Sequence, residues 1–338
     1  MVLITIIGLS IGYSAFNTNL NISGEATFQV TYDLAKNKIL NDNGGKDFIE
    51  SKGTPDFSKI ATTDEGMYAT SDDYGTSYYY RGDIQNNWLY FAGYYWRIIR
   101  INGDGSIRVI YNGTTTNQTG SDTQIGTSAF NTLSDRSEYV GFKYTIGEQH
   151  GTSTNSTILN ELNKWYETNL LKYSTLINDS GFCGDRTSTT NSSSAPDGTG
   201  GIGDETTYYG ARYRLYNNKQ PTLKCPDIIK DLYTISNVGN QSLNYPIGLI
   251  SADEVAFAGG VHETQNLTYY LYTNEYYWTI SPCGSVFTRL FAVFQNGEFT
   301  NGRVYNTYGI RPVINLKANI MLSGNGTKTN PYKVVNTT

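Results

Sequence analysis

Charge is scarce in this chain, and so are the residues that most often carry metal or nucleophile chemistry. Only 16% of its 338 residues are Asp, Glu, Lys or Arg, and there are two histidines, three cysteines, three methionines and eight prolines. The 25 basic residues are scattered among 30 acidic ones, leaving a net charge of −5. No basic patch of the density used by nucleic-acid binders is present, so that class of partner is set aside. The chain contains no Cys-x-x-Cys, and His150 and His262 are not paired in sequence, which removes the ligand spacing of a structural zinc. Both histidines sit in polar, loop-like sequence, and no nucleophile–base pair can be named beside them. Long hydrophobic runs are also missing. The longest uncharged, mostly apolar stretch, residues 2–16 (VLITIIGLSIGYSAF), falls short of the roughly 20 residues that span a bilayer.

What the chain has in quantity is tyrosine, 29 residues, and glycine, 35 residues, with much Asn, Ser and Thr. Tyr, Ser, Gly and Asn dominate binding loops, because Tyr gives a large rigid contact at little entropic cost and the small polar residues adapt their hydrogen bonds. Tyr is also a strand former, so the same composition describes a polar, β-rich extracellular protein.

The apolar run at 2–16 fits the core of a secretory signal or the end of a membrane anchor, with a true start upstream supplying the basic residues such segments carry. Export, and display outside the cell or on its surface, is the localisation this implies. Residues 17–76 read as a strand segment and polar connector, 77–320 as the main domain, and 321–338 as a final strand and tail. Cys183 and Cys225 flank a Ser/Thr/Gly-rich loop and are expected to form a disulfide, leaving Cys283 over. The loop itself, from Cys183 to Glu205, is expected to be exposed and mobile.

Within the main domain, Trp88–Ile101 and Ser106–Tyr111 predict a hairpin across Asn102-Gly-Asp-Gly. Ile158, Leu159, Leu162, Trp165, Tyr166, Leu170 and Leu171 recur at helical spacing and predict a helix over 156–172, with Trp165 in its buried stripe. Ile247–Ile250 predicts a strand. Ser251-Ala-Asp-Glu254 predicts a capping box opening a short helix that Gly259 and Gly260 stop. Asp253 and Glu254 form a tempting carboxylate pair, but capping accounts for Glu254. Tyr269–Tyr272 and Tyr276–Ile280 predict further strands.

The order of these pieces carries a resemblance. A Trp-Arg-Ile-Ile strand (96–99) is followed by a Leu-x-x-Trp helix (162–165) and Leu-Ile-Ser-Ala-Asp-Glu-Val (249–255). Trp-Thr-Ile-Ser-Pro (278–282), an Asn-Gly-Glu turn (296–298) and Gly-Ile-Arg-Pro-Val (309–313) come after. This order resembles a family of surface proteins of gut Bacillota-type bacteria built on a C-type-lectin-like domain, in its formylglycine-generating-enzyme-like branch. The resemblance implies an α+β fold of mixed, mainly antiparallel strands with two helices, and a task of binding rather than catalysis. Copper chemistry of the formylglycine-generating kind is not expected, because Cys283 has no second thiol near the closing strand. The Glu-Pro-Asn and Trp-Asn-Asp signatures of calcium-dependent sugar binding are missing too. Asn102, Asp104, Asp204 and Glu205 could offer oxygens, but turn chemistry explains them equally well. No cofactor or metal is expected.

Within such a fold the ligand-facing surface lies just before the closing Gly-x-Arg strand, and in some receptors a retroelement diversifies it. The segment 283–308 holds that place here. Arg289, Phe291, Phe294, Arg303, Tyr305 and Tyr308 are the expected contacts to an extracellular glycan or protein ligand, Tyr and Arg being typical anchors. The plainer expectation for the same segment is two alternating strands turned at 295–298, with Val286, Leu290, Val293 and Val304 in the core. Arg311 is expected to support the fold from a buried position. A structural envelope component and a degenerate formylglycine-generating-type enzyme are the alternatives.

Overall fold

The computed structural model describes residues 33–189, 200–203, 207–284 and 288–335. The expected export segment, the strand after it up to residue 32, most of the loop after Cys183 (Asp204 and Glu205 included) and Val286 lie outside the described residues. Among those that are described, no helix is long and apolar enough to cross a membrane.

The described residues open with helices α1 (Ala35–Asp42) and α2 (Lys46–Ser51). Five strands follow: β1 (Asp64–Asp72), β2 (Gly75–Gly82), β3 (Trp88–Phe91), β4 (Tyr94–Ile101) and β5 (Ile107–Tyr111). Short strands β6 (Thr127–Ser128), β7 (Lys143–Tyr144) and β8 (Thr154–Asn155) lead to α3 (Thr157–Asn169), the longest helix among the described residues. Next come β9 (Ile177–Asn178), β10 (Phe182–Cys183), α4 (Gly210–Arg212), α5 (Ile228–Asp231) and β11 (Leu232–Tyr233). Helix α6 (Ala252–Phe257) precedes β12 (Tyr277–Pro282), β13 (Arg289–Val293), β14 (Phe299–Arg303) and β15 (Tyr308–Gly309). The last strands are β16 (Val313–Leu316), β17 (Met321–Ser323) and β18 (Tyr332–Val335).

Two main sheets result. The larger has the order β17-β18-β3-β4-β5-β16-β9, with β2 also pairing β4 and β1 pairing β2. Only the β18–β3 contact in it is parallel. The smaller has the order β14-β13-β12-β15-β6, and its one parallel contact is β12–β15. The molecule is thus α+β with mainly antiparallel strands, and it has six α-helical segments among the described residues where two were expected.

Turn chemistry explains the hairpins. β3 and β4 are joined by Ala92 and Gly93, both at positive φ (56° and 88°), the two-residue turn whose twist suits a hairpin. This break inside Trp88–Ile101 was not foreseen, because Ala is an unusual residue there. The β4–β5 turn is held by Asp104, whose Oδ1 accepts from the Ser106 N–H and hydroxyl. Its Oδ2 accepts from Asn178 and Ser180, so Asp104 is occupied internally and not offered to an ion. Asn102 is buried and donates to Ser106 and Asn315.

Helix α3 carries the predicted stripe, but Trp165, expected in the core, is only half-buried on it. Ser156 caps it, its hydroxyl accepting from the Leu159 N–H, and Ile158, Leu159, Leu162 and Tyr166 are buried. The helix ends sooner than expected: Leu171 begins a 3-10 segment and is exposed. The capping box at Ser251 and Glu254 is present in both directions. Two expected strands are not. At Ile247–Ile250 only Gly248 makes a bridge, to Val313. Tyr269–Leu271 are buried in a turn, where the Tyr272 N–H bonds to Tyr269 O and the Tyr269 hydroxyl donates to Gly297 O. A short aromatic or apolar run signals burial; it does not by itself say that a neighbouring strand will meet it.

One core joins nearly everything. It includes Ala35, Ile39, Leu40, Ile49 and Met67, from the stretch read as a connector, and Leu322 and Tyr332, from the stretch read as a tail. Residues 33–76 and 321–335 are therefore built into the same body as 77–320. Cys183 and Cys225 are bonded, and Cys283 is free and buried.

Candidate functional site

The smaller sheet builds the site. Tyr277 pairs with Val293 on one side and Gly309 on the other. One step along, that register sets Tyr276 between Phe294 and Tyr308, on the opposite face from Tyr277. The rings meet accordingly. Tyr276 and Tyr308 stack at 5.2 Å with 19° between planes, and Phe294 lies 5.0 Å from Tyr276 and 5.9 Å from Tyr308. Tyr308 also leans on buried Trp278, 4.7 Å away, whose Nε1 donates to Ser128 O.

Tyr308 is held from three sides. Besides the Tyr276 stack, Asn306 Nδ2 donates to its hydroxyl at 2.7 Å. On the third side lies Gly302, where a Cβ would come 2.7 Å from the Tyr308 ring. A glycine is needed there because the ring lies directly over the strand backbone. Beside these rings a groove of about 470 Å³ opens, bordered by Tyr272, Asn274, Tyr276, Phe294, Gln295 and Glu298. Tyr272, Tyr276, Phe294 and Tyr308 are each half-buried, so they show part of a ring to solvent while their positions are fixed by packing. The result is an aromatic ledge rimmed by amides and a carboxylate.

The six predicted contacts do not form one cluster. Phe294 and Tyr308 belong to the ledge. Strand alternation puts Arg289 and Arg303 on the other face of the sheet, directly opposite one another. Like charges so placed repel unless each finds a partner. Arg289 donates to Asn301 Oδ1 at 2.7 Å, and Arg303 donates to the Tyr305 hydroxyl at 2.6 Å. Arg303 and Tyr305 are exposed, which makes a second, polar patch. Phe291 is a correction: it is fully buried, packed against His262 (5.7 Å) and Phe299 (5.8 Å), and cannot touch a ligand in the folded state. The segment that carries His262 covers that part of the sheet, which strand period alone could not reveal. Leu290, Val293 and Val304 are core, as the plainer expectation had them. Tyr272, Asn274 and Tyr276 were missed. Period-2 alternation from Trp278 back to Tyr276 was the available signal.

Groups that look chemical elsewhere are internally engaged. Glu254 accepts from Arg100 and Arg108 as well as from the Ser251 N–H. Burial opposes its charge, but the two guanidiniums outweigh burial and hold its carboxyl below the ordinary 4.5. Asp253 takes Arg214 through both oxygens, and Arg214 also reaches Asp185. Asp72 completes the group through Arg100. Next to them remains a cavity of about 30 Å³, room for about one water. Asp231 binds Arg186 and His150. Arg311 is buried and donates to Tyr111 O, Leu271 O and Asn112 Oδ1, which ties the closing strand to two loops. Burial pushes the Cys283 thiol up to about 11, the nearby Arg212 only partly opposing it, so this sulfur is no ready nucleophile. Among the described residues no group of three or more His, Cys, Asp or Glu side chains is placed to hold a metal ion.

Compared with protein families, with curated proteins and with solved structures, the chain matches none. The reading of function therefore rests on the residues themselves.

Proposed function

We propose that this chain is a non-catalytic ligand-binding protein displayed outside the cell, an adhesin or receptor, and that it engages its ligand on the ledge of the smaller sheet. The observation that carries the reading is the ledge itself: Tyr276, Phe294 and Tyr308 locked edge and face on a rigid sheet, with Gly302 kept bare to seat Tyr308. Anchors of this kind lose little freedom on binding, so more of the contact energy appears as affinity. The polar patch of Arg303 and Tyr305 adds a second contact region. A diversified segment would be confined to surface positions such as 289, 301, 303 and 305, since Leu290, Phe291, Ala292 and Val293 are core. The disulfide supports an oxidising compartment, as expected of an exported protein. The C-type-lectin-like identity of the fold rests on the order of sequence motifs, and anchoring to a membrane rests on the N-terminal segment.

The test is an array of glycans and of extracellular proteins probed with the wild-type chain and with Tyr276→Ala, Tyr308→Ala and Gly302→Ala. The expected outcome is a hit whose affinity falls roughly tenfold or more in each variant, as for loss of a central aromatic anchor. Gly302→Ala adds a single methyl and removes no contact group, so its effect reports the seating of Tyr308. Binding that survives all three changes intact would sink the proposal.

A further inference from the structure

We propose a second and separate binding site: a pocket against Trp165 that takes one ring of a neutral sugar. The chain has four tryptophans, and three of them, Trp88, Trp96 and Trp278, are no more than 2% exposed. Trp165 differs. It lies on the apolar stripe of α3, yet it is only half-buried. Its inner side is wedged against Tyr94, Tyr111 and Trp96, at 5.5, 5.7 and 6.3 Å between rings. Its outer side borders a pocket of about 290 Å³ between α3 and the chain around Gly126 and Ile310.

Three features define what would fit. The size is at the lower end for small-molecule sites, about 300–1,000 Å³, so one ring enters and a chain segment does not. The back wall is a rigid indole, fixed by three other rings, which suits a ligand with an apolar C–H face. The rim carries Glu161 and Lys164, both exposed, and neither side chain makes a hydrogen bond or ion pair with another described residue. They lie three residues apart on one helix face, where opposite charges can pair, yet here they stand apart. A ligand carrying one charge would gain from one of them and be repelled by the other. A pyranose avoids this conflict, because its hydroxyls donate to a carboxylate and accept from an ammonium. The opposite wall is bare at Gly126, where an added Cβ would meet nothing within 4 Å. Asn169 also borders the pocket, but it is already engaged by Tyr94 and the Trp165 carbonyl, so it stiffens the wall and leaves the rim to the charged pair.

The geometry offers its own probe. Trp165 is the tryptophan that a collisional quencher can reach, so acrylamide quenching of intrinsic fluorescence reports on this pocket. The experiment titrates the wild-type chain with methyl glycosides of glucose, galactose, mannose and N-acetylglucosamine. At least one should protect Trp165 from acrylamide at millimolar concentration, and Trp165→Phe should abolish the sugar-dependent change. Saturation-transfer NMR then compares affinities. Glu161→Gln combined with Lys164→Met alters two exposed side chains and leaves the fold alone. It should weaken binding roughly tenfold, the scale of one hydrogen bond to a charged group. Tyr276→Ala should leave this binding unchanged, which separates the site from the ledge. Lack of protection by all four glycosides overturns the proposal, and so does protection undiminished in the Glu161/Lys164 double variant.

Discussion

Neither ring nitrogen of His262 has a hydrogen-bond partner, although its side chain is 1% exposed. The imidazole stands edge-on to Phe291, Phe299 and Tyr216. Glu263 approaches only to 3.9 Å, and the Lys219 and Arg212 cations lie on the other side of the charge balance. Burial first, then these two cations, lower its pKa to about 4 from an ordinary 6.5. Between those values the unfolded chain takes a proton that the folded chain refuses. Stability from this source is therefore complete above pH 6.5 and is lost as pH falls towards 4, by up to ~3 kcal/mol. His262→Phe, which keeps a ring among rings, is expected to flatten that slope in urea titrations run between pH 6.5 and 4.5. An unchanged slope would mean that the histidine is solvated. This residue also marks a limit of the sequence. His262 lies in polar surroundings, between Val261 and Glu263, and nothing local says that the chain folds it under the β13–β14 hairpin. The same burial hides Phe291, which reads as a contact only because it lies in the segment just before the closing Gly-x-Arg strand.

Helix α6 shows how one short element can carry two loads. Its capping box was legible in Ser-Ala-Asp-Glu because capping is local chemistry. The two arginines on Glu254 were not legible, because Arg100 and Arg108 arrive from another part of the chain on β4 and β5. The two loads separate by mutation. Ser251→Ala removes a cap and should reduce stability by about 1 kcal/mol. Glu254→Gln can still accept from the backbone, but it leaves the buried Arg108 guanidinium without a counter-charge and Arg100 with Asp72 alone, with an expected loss of about 3–5 kcal/mol. Chemical denaturation of both variants checks the order, and equal losses would show that the arginines find other partners. Helix α3 and the β13–β14 hairpin follow the same rule. Apolar period and turn residues placed them correctly, whereas the tyrosine run 269–272 needed knowledge of its neighbours. The ledge was half legible for this reason: Phe294 and Tyr308 lay in the segment singled out, and Tyr276 came to them only through the sheet register.

At the scale of the whole molecule, the Cys183–Cys225 bond closes a loop with a sequence separation of 42. Restricting such a loop in the unfolded state is worth about 4 kcal/mol in the chain-entropy account. Reduction, or Ser at both positions, should lower the denaturation free energy by about that amount. A thiol reagent should find no reactive cysteine in the native oxidised chain and one, Cys283, after unfolding. Native reactivity at Cys283 would contradict its burial. The division of the chain into connector, domain and tail did not anticipate the shared core, because Ala35, Ile39, Met67, Leu322 and Tyr332 are too sparse in sequence to announce a common interior.

Strand β17 has Val335 of β18 paired to Met321 on one side and Leu34 bridged to the same residue on the other. Two strand spacings, about 10 Å, therefore separate residue 34 from residue 335. The described body is nearly a closed ring in its connectivity. A linker of a few residues would join 335 to 33 and give a circular permutant, with new ends opened in an exposed loop such as that around Gly147. For any partner fused at position 33 or 335, both attachments leave from the same edge of the larger sheet, so two fused modules would sit side by side and not at opposite poles.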